Sequence, residues 1–349
     1  MCPQLSSVID EDIVSKIIEK IDSSSDIIIT THLSPDGDAI GSSLALYHFI
    51  KNRGKKVKVI VPNSFPNFLK WLNGAKDIEV FEYNPSAGAH MLSKADLIFS
   101  LDYNVTKRVG EMAAHIENSS GFKILIDHHL HPGEGFDIRV SHPPMSSTSE
   151  LIFRLIYQAG RYEDMTLEEA EAIYCGMMTD TGSFTYNSNS SEIYEIISFL
   201  IKKGVDKDNI HSKVFNNYSE ERFRLLGLTL SERMEVYHDI HSALLYLSKE
   251  DQTKYNFKKG DTEGFVNYPL SIKDIIFSTF IREEDDLIKL SFRSQGEFPC
   301  NKFAADFFNG GGHLNASGGE FYGTLEDAIN LYKEGIKKYE NILKDSLPD

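Results

Sequence analysis

Short apolar runs alternate with amphipathic stretches through residues 1–205. The runs at 27–31, 56–61, 96–101 and 122–126 are rich in Ile, Val, Leu and Phe, which is typical of buried strands. Most of the other stretches space their apolar residues as one face of a helix does. The predicted helices span residues 11–22, 39–52, 68–72, 105–114, 147–158, 166–178 and 191–203. Strands that alternate with helices predict an α/β domain with a doubly wound parallel sheet.

The pattern changes after Gly204. Residues 206–231 are polar and mostly helical in spacing, which predicts a helical linker. The remaining chain is richer in strands and predicts a second, smaller α+β domain. Its predicted strands are 243–247, 275–281 and 287–292, and its predicted helices are 301–307 and 325–343. The predicted organisation is therefore a first domain at 1–205, a linker at 206–231 and a second domain at 232–349.

Composition and charge narrow the class of protein. The chain has 349 residues, of which 41% are hydrophobic and 25% are charged, as in ordinary two-domain globular proteins. Its formal net charge is −16. A protein that follows a long polyanion normally carries a basic face, so we expect no long nucleic acid as a partner. A small anionic substrate held through metal ions is compatible with this charge.

The cysteines and the apolar runs exclude other classes. Cys2, Cys175 and Cys300 form no spaced cluster, which argues against a disulfide framework and a zinc site. The N-terminus is polar and acidic and has no signal-peptide pattern. No apolar run approaches the length that spans a membrane. We therefore expect a cytoplasmic protein without a membrane partner.

The loop after the first strand carries the strongest chemical signal. His32, Asp36 and Asp38 follow the run 27–31, beyond the end of the strand where open α/β sheets bind ligands. Two carboxylates and an imidazole suit Mn²⁺ or Mg²⁺ better than a thiolate set would. The alternative is an Asp-rich turn that only caps the helix at 39–52.

Three later segments supply similar residues. Asp102 ends the run 96–101, Asp127-His128-His129 ends the run 122–126, and Asp180 follows an apolar helix. The carboxyl ends of parallel strands share one edge of a sheet, so these side chains can converge. Such a set can serve two octahedral ions with one bridging carboxylate. Taken singly, Asp102 could cap a helix, Asp180 could lie in a solvated turn, and the histidines could be structural.

Together these motifs resemble the DHH phosphoesterase superfamily. The resemblance rests on His32-x-x-x-Asp36-x-Asp38, Asp102, Asp127-His128-His129 and Asp180, in that order. The stretch 309–313, Asn-Gly-Gly-Gly-His, with Ala-Ser-Gly-Gly at 316–319, resembles the DHH-associated C-terminal domain. The two-domain layout is most similar to the branch of oligoribonucleases (nano-RNases) and 3′-phosphoadenosine 5′-phosphate phosphatases.

The resemblance implies two divalent metal ions, with Mn²⁺ as the first expectation and Mg²⁺ as the second. The implied ligands are His32, Asp36 and Asp102 for one ion and Asp38, Asp102, His128 and Asp180 for the other. His129 would face the substrate phosphate as a catalytic residue, and Asp127 would orient an imidazole. Hydroxide formed between two such cations would attack phosphorus in line with the leaving oxygen.

The second domain is expected to bind the substrate. Successive glycines, Gly311 and Gly312 among them, let backbone N–H groups approach a phosphate. His313 can add a donor, and Arg293 can bind a phosphate through two hydrogen bonds. The alternatives are a glycine-rich loop that only ends the preceding helix and an arginine that is only a surface charge.

The leading functional hypothesis is hydrolysis of short nucleotides, namely oligoribonucleotides of a few residues and 3′-phosphoadenosine 5′-phosphate. The first alternative is a phosphodiesterase for cyclic di-AMP or linear di-adenylate. A single-strand exonuclease, a pyrophosphatase or polyphosphatase, and a non-catalytic nucleotide-binding protein are further alternatives. The complete ligand set favours an enzyme over a binding protein. The oligomeric state stays open, with a homodimer as one candidate.

Overall fold

The computed structural model describes residues 5–216 and 218–346. The chain divides into two compact units, residues 1–217 and 218–349. The division falls within residues 206–231, the stretch predicted as a helical linker. Each unit has its own six-stranded sheet.

The first unit is built on a parallel sheet. Its strands are β1 (Asp26–Thr30), β2 (Lys56–Val61), β3 (Glu79–Val80), β4 (Leu97–Leu101), β5 (Phe122–Asp127) and β6 (Ile138–Ser141). Their order across the sheet is β3-β2-β1-β4-β5-β6, and every neighbouring pair is parallel. Parallel strands need crossover connections, and helices supply most of them here.

Helices cover both faces of this sheet. They are α1 (Glu11–Ser23), α2 (Gly37–Asn52), α3 (Pro85–Lys94), α4 (Ala113–Glu117), α5 (Thr148–Gln158), α6 (Leu167–Asp180), α7 (Ser191–Lys202) and α8 (Lys207–Phe215). Side chains alternate between faces along a strand. Accordingly, Ile27 and Ile29 pack in one buried apolar cluster, and Ile28 packs in another. The predicted doubly wound α/β sheet is confirmed.

Two strands and one helix of this unit were missed by the sequence prediction. Strand β3 has two residues, β6 has four, and α3 begins at a proline. The helix predicted at 105–114 is instead a 3₁₀ segment at 106–112, broken at Gly110, where φ is 59°, and followed by α4. The helix predicted at 68–72 is a single 3₁₀ turn at 67–69.

The second unit has a mixed sheet. Its strands are β7 (Met234–Tyr237), β8 (Ser242–Leu247), β9 (Phe277–Glu283), β10 (Ile288–Ser294), β11 (Gly311–His313) and β12 (Ala316–Phe321). The order is β11-β12-β10-β9-β8-β7, with β8 and β9 parallel and the other pairs antiparallel. Its helices are α9 (Glu220–Glu232), α10 (Lys249–Lys254), α11 (Cys300–Phe307), α12 (Leu325–Lys338) and α13 (Glu340–Asp345). The predicted smaller α+β domain is confirmed.

Two predictions in this unit need correction. The glycine-rich stretch expected as a loop contains the short strand β11, because its backbone pairs with β12. The single helix predicted at 325–343 is divided at Tyr339 into α12 and α13.

Two exclusions made from the sequence can be compared with the structure. Cys175 and Cys300 are buried free thiols, whereas Cys2 lies outside the described residues. Within residues 5–216 and 218–346, no helix combines the length and the apolar character needed to cross a membrane.

Candidate functional site

The strand order of the first unit creates a topological switch point. From β1 the chain proceeds to β2 and β3 on one side, and it then returns to place β4, β5 and β6 on the other. Open α/β sheets bind ligands at such a reversal, outside the carboxyl ends of the strands. His32 follows β1, Asp102 follows β4, and His128 follows β5. The topology therefore brings three of the predicted residues to one edge.

His32, Asp36 and Asp102 form a first group. His32 Nε2 lies 3.3 Å from Asp102 Oδ2 and 3.8 Å from Asp36 Oδ2. Asp36 also caps α2, since its Oδ1 accepts hydrogen bonds from the N–H groups of Asp38 and Ala39, each at 3.0 Å. The capping alternative is thus correct for one oxygen of Asp36, while the other oxygen faces the histidine.

Asp38, His128 and Asp180 form a second group. His128 Nε2 lies 3.5 Å from Asp180 Oδ2, and ligand atoms of all three residues lie within 4.8 Å of one another. Asp38 is in the first turn of α2 and Asp180 is the last residue of α6. These helices pack closely at Gly41, where a Cβ atom would lie 2.6 Å from Ala172 O.

Asp102 belongs to the first group and also lies next to the second. Its Oδ2 faces His32, and its Oδ1 is 3.6 Å from His128 Nε2. The backbone of Asp102 is left-handed, with φ of 63°, which is uncommon outside glycine. Asp102 does not cap the following 3₁₀ segment, whose first flanking residue is Val105. Its carboxylate is therefore directed to the histidines instead of that 3₁₀ segment.

Sequence reasoning missed the residues that hold Asp38. The N–H of Thr148 donates to Asp38 Oδ2 at 2.7 Å, and the N–H of Ser149 donates to Asp38 Oδ1 at 2.8 Å. Both belong to the first turn of α5, whose N-cap is Ser147. The pattern Ser147-x-x-Glu150 is a recognisable helix start, but only the fold reveals that this start faces Asp38.

His129 is anchored by Asp127. His129 Nδ1 lies 2.7 Å from Asp127 Oδ1, and the backbone N–H of His129 donates to Asp127 Oδ2 at 3.0 Å. Asp127 is fully buried. His129 Nδ1 is also 3.7 Å from Asp102 Oδ1, so His129 forms a third close group with Asp102 and His128.

The charges of the site shift one another's pKa values. Burial and then the charges of Asp102 and Asp180 raise the pKa of Asp38 well above its usual value. Burial raises the pKa of Asp180 to about 7. Burial alone would raise the pKa of Asp102 and lower that of His128. For Asp102, the hydrogen bond and charge of His32 prevail and hold its pKa below the usual range. The charges of Asp102 and Asp180 raise the pKa of His128 to about 9.

These residues fit divalent cations. Asp38 and Asp102 are 1% and 2% exposed, and buried carboxylates need compensating positive charge. Carboxylate and imidazole donors suit Mn²⁺, and carboxylates also suit Mg²⁺. The three candidate sets, each with its ligand atoms within 4.8 Å of one another, are His32, Asp36 and Asp102; Asp38, His128 and Asp180; and Asp102, His128 and His129.

The predicted residues of the second unit meet on its sheet. Arg293 in β10 lies opposite Ala316 in β12, and Ala316 lies opposite His313 in β11. Directly opposite residues project from the same face, so Arg293 and His313 flank Ala316 in one row. Gly311 lies on this face and Gly312 on the other, because side chains alternate along β11. The row thus combines two donors with small neighbours.

Comparison with known proteins identifies the family. The chain matches the model of the DHH family, N-terminal domain, over residues 26–177, and the model of the DHHA1 domain over residues 241–338. A crystal structure of an exopolyphosphatase-related protein from Bacteroides fragilis is 54% identical, has a TM-score of 0.96, and covers 97% of this chain and 100% of its own.

Two curated relatives are more distant. The bifunctional oligoribonuclease and PAP phosphatase NrnA of Thermus thermophilus is 29% identical, over 89% of each chain. The cyclic-di-AMP phosphodiesterase GdpP of Bacillus subtilis is 26% identical over 92% of this chain but only 49% of its own length. The chain therefore belongs to the DHH family and carries a DHHA1 domain in its C-terminal unit.

Proposed function

We propose that the protein is a metal-dependent hydrolase of phosphate esters in short nucleotides, namely oligoribonucleotides of a few residues and 3′-phosphoadenosine 5′-phosphate. The convergence of His32, Asp102 and Asp180 with their neighbours at one sheet edge carries this proposal. The similarity to an oligoribonuclease and PAP phosphatase, over 89% of both chains, supports the substrate class. The net charge of −16 favours a short anionic substrate over a long one.

Two divalent ions, Mn²⁺ first and Mg²⁺ second, would be held by the two main groups of the site. The proposed ligands are His32, Asp36 and Asp102 for one ion, and Asp38, Asp102, His128 and Asp180 for the other. When bound, such ions lower the pKa of water and neutralise charge on phosphoryl oxygens. Asp102 is the proposed shared ligand, because its two oxygens face His32 and His128 separately.

His129 is the proposed catalytic acid. Its Nδ1 faces Asp127 Oδ1 at 2.7 Å, which fixes the ring and assigns proton transfer to Nε2. A histidine held in this way can donate to a phosphoryl oxygen or protonate the leaving oxygen. Asp127 would act through His129 and would stabilise its protonated form.

Arg293, Gly311, Gly312 and His313 are proposed to bind a phosphate of the substrate. The row of Arg293 and His313 on one sheet face supports this role, because both side chains can donate to phosphate oxygens. Gly311, on the same face as His313, keeps the surface beside it free of a bulky side chain.

Product analysis with purified protein and Mn²⁺ tests the proposal. The substrates are di- to penta-ribonucleotides, 3′-phosphoadenosine 5′-phosphate, cyclic di-AMP, pyrophosphate and inorganic polyphosphate, with Asp102→Ala as the control for contaminating hydrolases. We expect turnover of the short ribonucleotides and of 3′-phosphoadenosine 5′-phosphate. Turnover of the inorganic substrates alone would contradict the proposal.

A cyclic-di-AMP phosphodiesterase is the second candidate. It is favoured by the match to GdpP over 92% of this chain, but the chain spans about half of that relative. A markedly higher kcat/KM for cyclic di-AMP than for the ribonucleotides would support it.

A further inference from the structure

We propose that Thr148 is a positioning residue that orients Asp102 between the two candidate metal groups. This inference rests on the proposed function. Thr148 Oγ1 donates to Asp102 Oδ1 at 3.0 Å, and the backbone N–H of the same residue donates to Asp38 Oδ2 at 2.7 Å. One residue thus holds a carboxylate of each group.

Asp102 needs such a donor because its carboxylate rotates easily. The last torsion of an aspartate side chain has a broad energy minimum, so it does not select an orientation by itself. The observed orientation places Oδ2 at 3.3 Å from His32 and Oδ1 at 3.6 Å from His128. The bond from Thr148 holds Oδ1, and Oδ2 then remains directed at the first group.

The position of Thr148 is itself well determined. It is fully buried and is the first residue of α5, after the N-cap Ser147. Glu150 Oε2 accepts a hydrogen bond from the N–H of Ser146 at 2.9 Å, and Glu150 Oε1 accepts one from Arg154 Nε at 2.9 Å. A β-branched side chain also has few χ1 states. The helix start therefore offers a hydroxyl at a fixed point.

Burial makes this hydroxyl hard to replace. Bulk water does not reach Thr148 or Asp102, which are 0% and 2% exposed. Removing the hydroxyl leaves the backbone bond to Asp38 in place, so the effect should concentrate on Asp102. Partners of this kind around metal ligands typically contribute about 10- to 100-fold in metal affinity or activity.

Thr148→Val removes the hydroxyl at nearly constant volume, and Thr148→Ser keeps it. The first measurement is a titration of Mn²⁺ binding without substrate. The electron paramagnetic resonance signal of free Mn²⁺ reports how much of the ion is unbound. We expect Thr148→Val to weaken the binding of at least one ion about 10-fold. It should also lower kcat more than it changes KM, and Thr148→Ser should restore both properties.

Thr229→Val is the matched control for loss of a buried threonine hydroxyl. Thr229 is fully buried in α9 of the other unit, and its hydroxyl donates to Leu225 O at 2.7 Å. This variant should keep wild-type metal binding and kcat. If Thr148→Val does not fold, Thr148→Ser and Thr148→Ala are compared, since they differ by the hydroxyl alone.

Unchanged Mn²⁺ affinity in Thr148→Val, or in Thr148→Ala relative to Thr148→Ser, would overturn the inference. Failure of the proposed function gives a different result. In that case the wild type binds Mn²⁺ but hydrolyses none of the nucleotides. The comparison of Mn²⁺ affinity between the wild type and Thr148→Val then still tests the role of Thr148.

Discussion

Replacing Asp127 by Asn tests whether His129 acts in catalysis with a fixed tautomer. The carboxylate of Asp127 accepts from two groups of His129, the ring Nδ1 at 2.7 Å and the backbone N–H at 3.0 Å. An asparagine has only one oxygen for these two donors. If that oxygen keeps the backbone N–H, the amide nitrogen faces Nδ1 and forces the proton of the neutral ring onto Nε2. The ring also loses the charge that stabilises its protonated form.

The size of the effect follows from this contact. Asp127 is fully buried, so water does not replace the lost bond. A hydrogen bond to a charged group contributes roughly 1.5–3 kcal/mol. At 1.36 kcal/mol for each factor of ten, this loss lowers kcat roughly 10- to 150-fold if it acts only in the transition state.

The assay measures kcat and KM on a dinucleotide, together with bound Mn²⁺. We expect Asp127→Asn to lower kcat and to keep the metal content of the wild type. Asp96→Asn is the matched control, because Asp96 Oδ2 also accepts two backbone N–H groups, from Ser25 at 2.9 Å and Asp26 at 3.0 Å. Its kcat should stay that of the wild type.

A double-mutant comparison decides whether Asp127 acts through His129. If it does, Asp127→Asn should have no further effect on kcat in a His129→Ala background, since coupled residues are not additive. If Asp127→Asn lowered kcat by the same factor in both backgrounds, the reasoning would be refuted. Loss of bound metal in Asp127→Asn would also refute it, because Asp127 would then support the ions directly.

Three further changes test the proposed ions, one buried acid and the second unit. Asp102→Ala should abolish hydrolysis and reduce bound Mn²⁺ more than His32→Ala does, because Asp102 contacts residues of both groups. Metal analysis measures the bound Mn²⁺ of each variant, and activity before and after chelation measures how far hydrolysis depends on it. Burial raises the pKa of Glu169 from 4.5 to about 7, so the folded protein binds the extra proton and loses stability as pH rises through this range. Glu169→Gln should cancel up to about 3 kcal/mol of that loss in unfolding titrations between pH 5 and pH 8. Arg293→Ala should raise KM for nucleotides that carry a second phosphate and should leave a p-nitrophenyl phosphate ester much less affected.

Each of these three predictions has an opposing result. Full activity after exhaustive chelation would remove the metal hypothesis. Parallel stability profiles for wild type and Glu169→Gln would show that Glu169 ionises normally in the folded protein. An equal rise of KM on both kinds of substrate would remove Arg293 from recognition of a second phosphate.

The ends of β1, β4 and β5 were predictable because these three strands have clear apolar patterns. Ile27 to Thr31 and the runs before Asp102 and Asp127 are short, apolar and separated by helices, so their parallel arrangement follows from the pattern. Convergence of the candidate residues then follows from the shared direction of the strands. The grouping of individual atoms does not follow, because it depends on torsions such as the left-handed φ of Asp102.

Other parts of the structure lack a local signal. Strand β11 consists of two glycines and a histidine, which have little intrinsic preference for strands, and its pairing with β12 is a tertiary contact. The start of α5 can be recognised as a helix start, but its position beside Asp38 depends on the route through the four-residue strand β6. The contact of Thr148 with the site therefore could not be predicted from sequence patterns.

The helix ends at the site separate a structural explanation from a functional one. Asp36 caps α2, and Asp38 accepts hydrogen bonds from two N–H groups of α5. A structural role alone would therefore explain the presence of both carboxylates. Asp180 is different, because it is the last residue of α6, where the helix dipole disfavours a negative charge. Its carboxylate oxygen lies 3.5 Å from His128, in a setting where burial raises the pKa of Asp180 to about 7. An ionised carboxylate at this position destabilises the folded protein unless a positive charge compensates it. Helix capping does not supply that charge, whereas protonated His128 supplies part of it and a bound cation would add to it, which is why Asp180 favours the metal hypothesis over a helix-capping role.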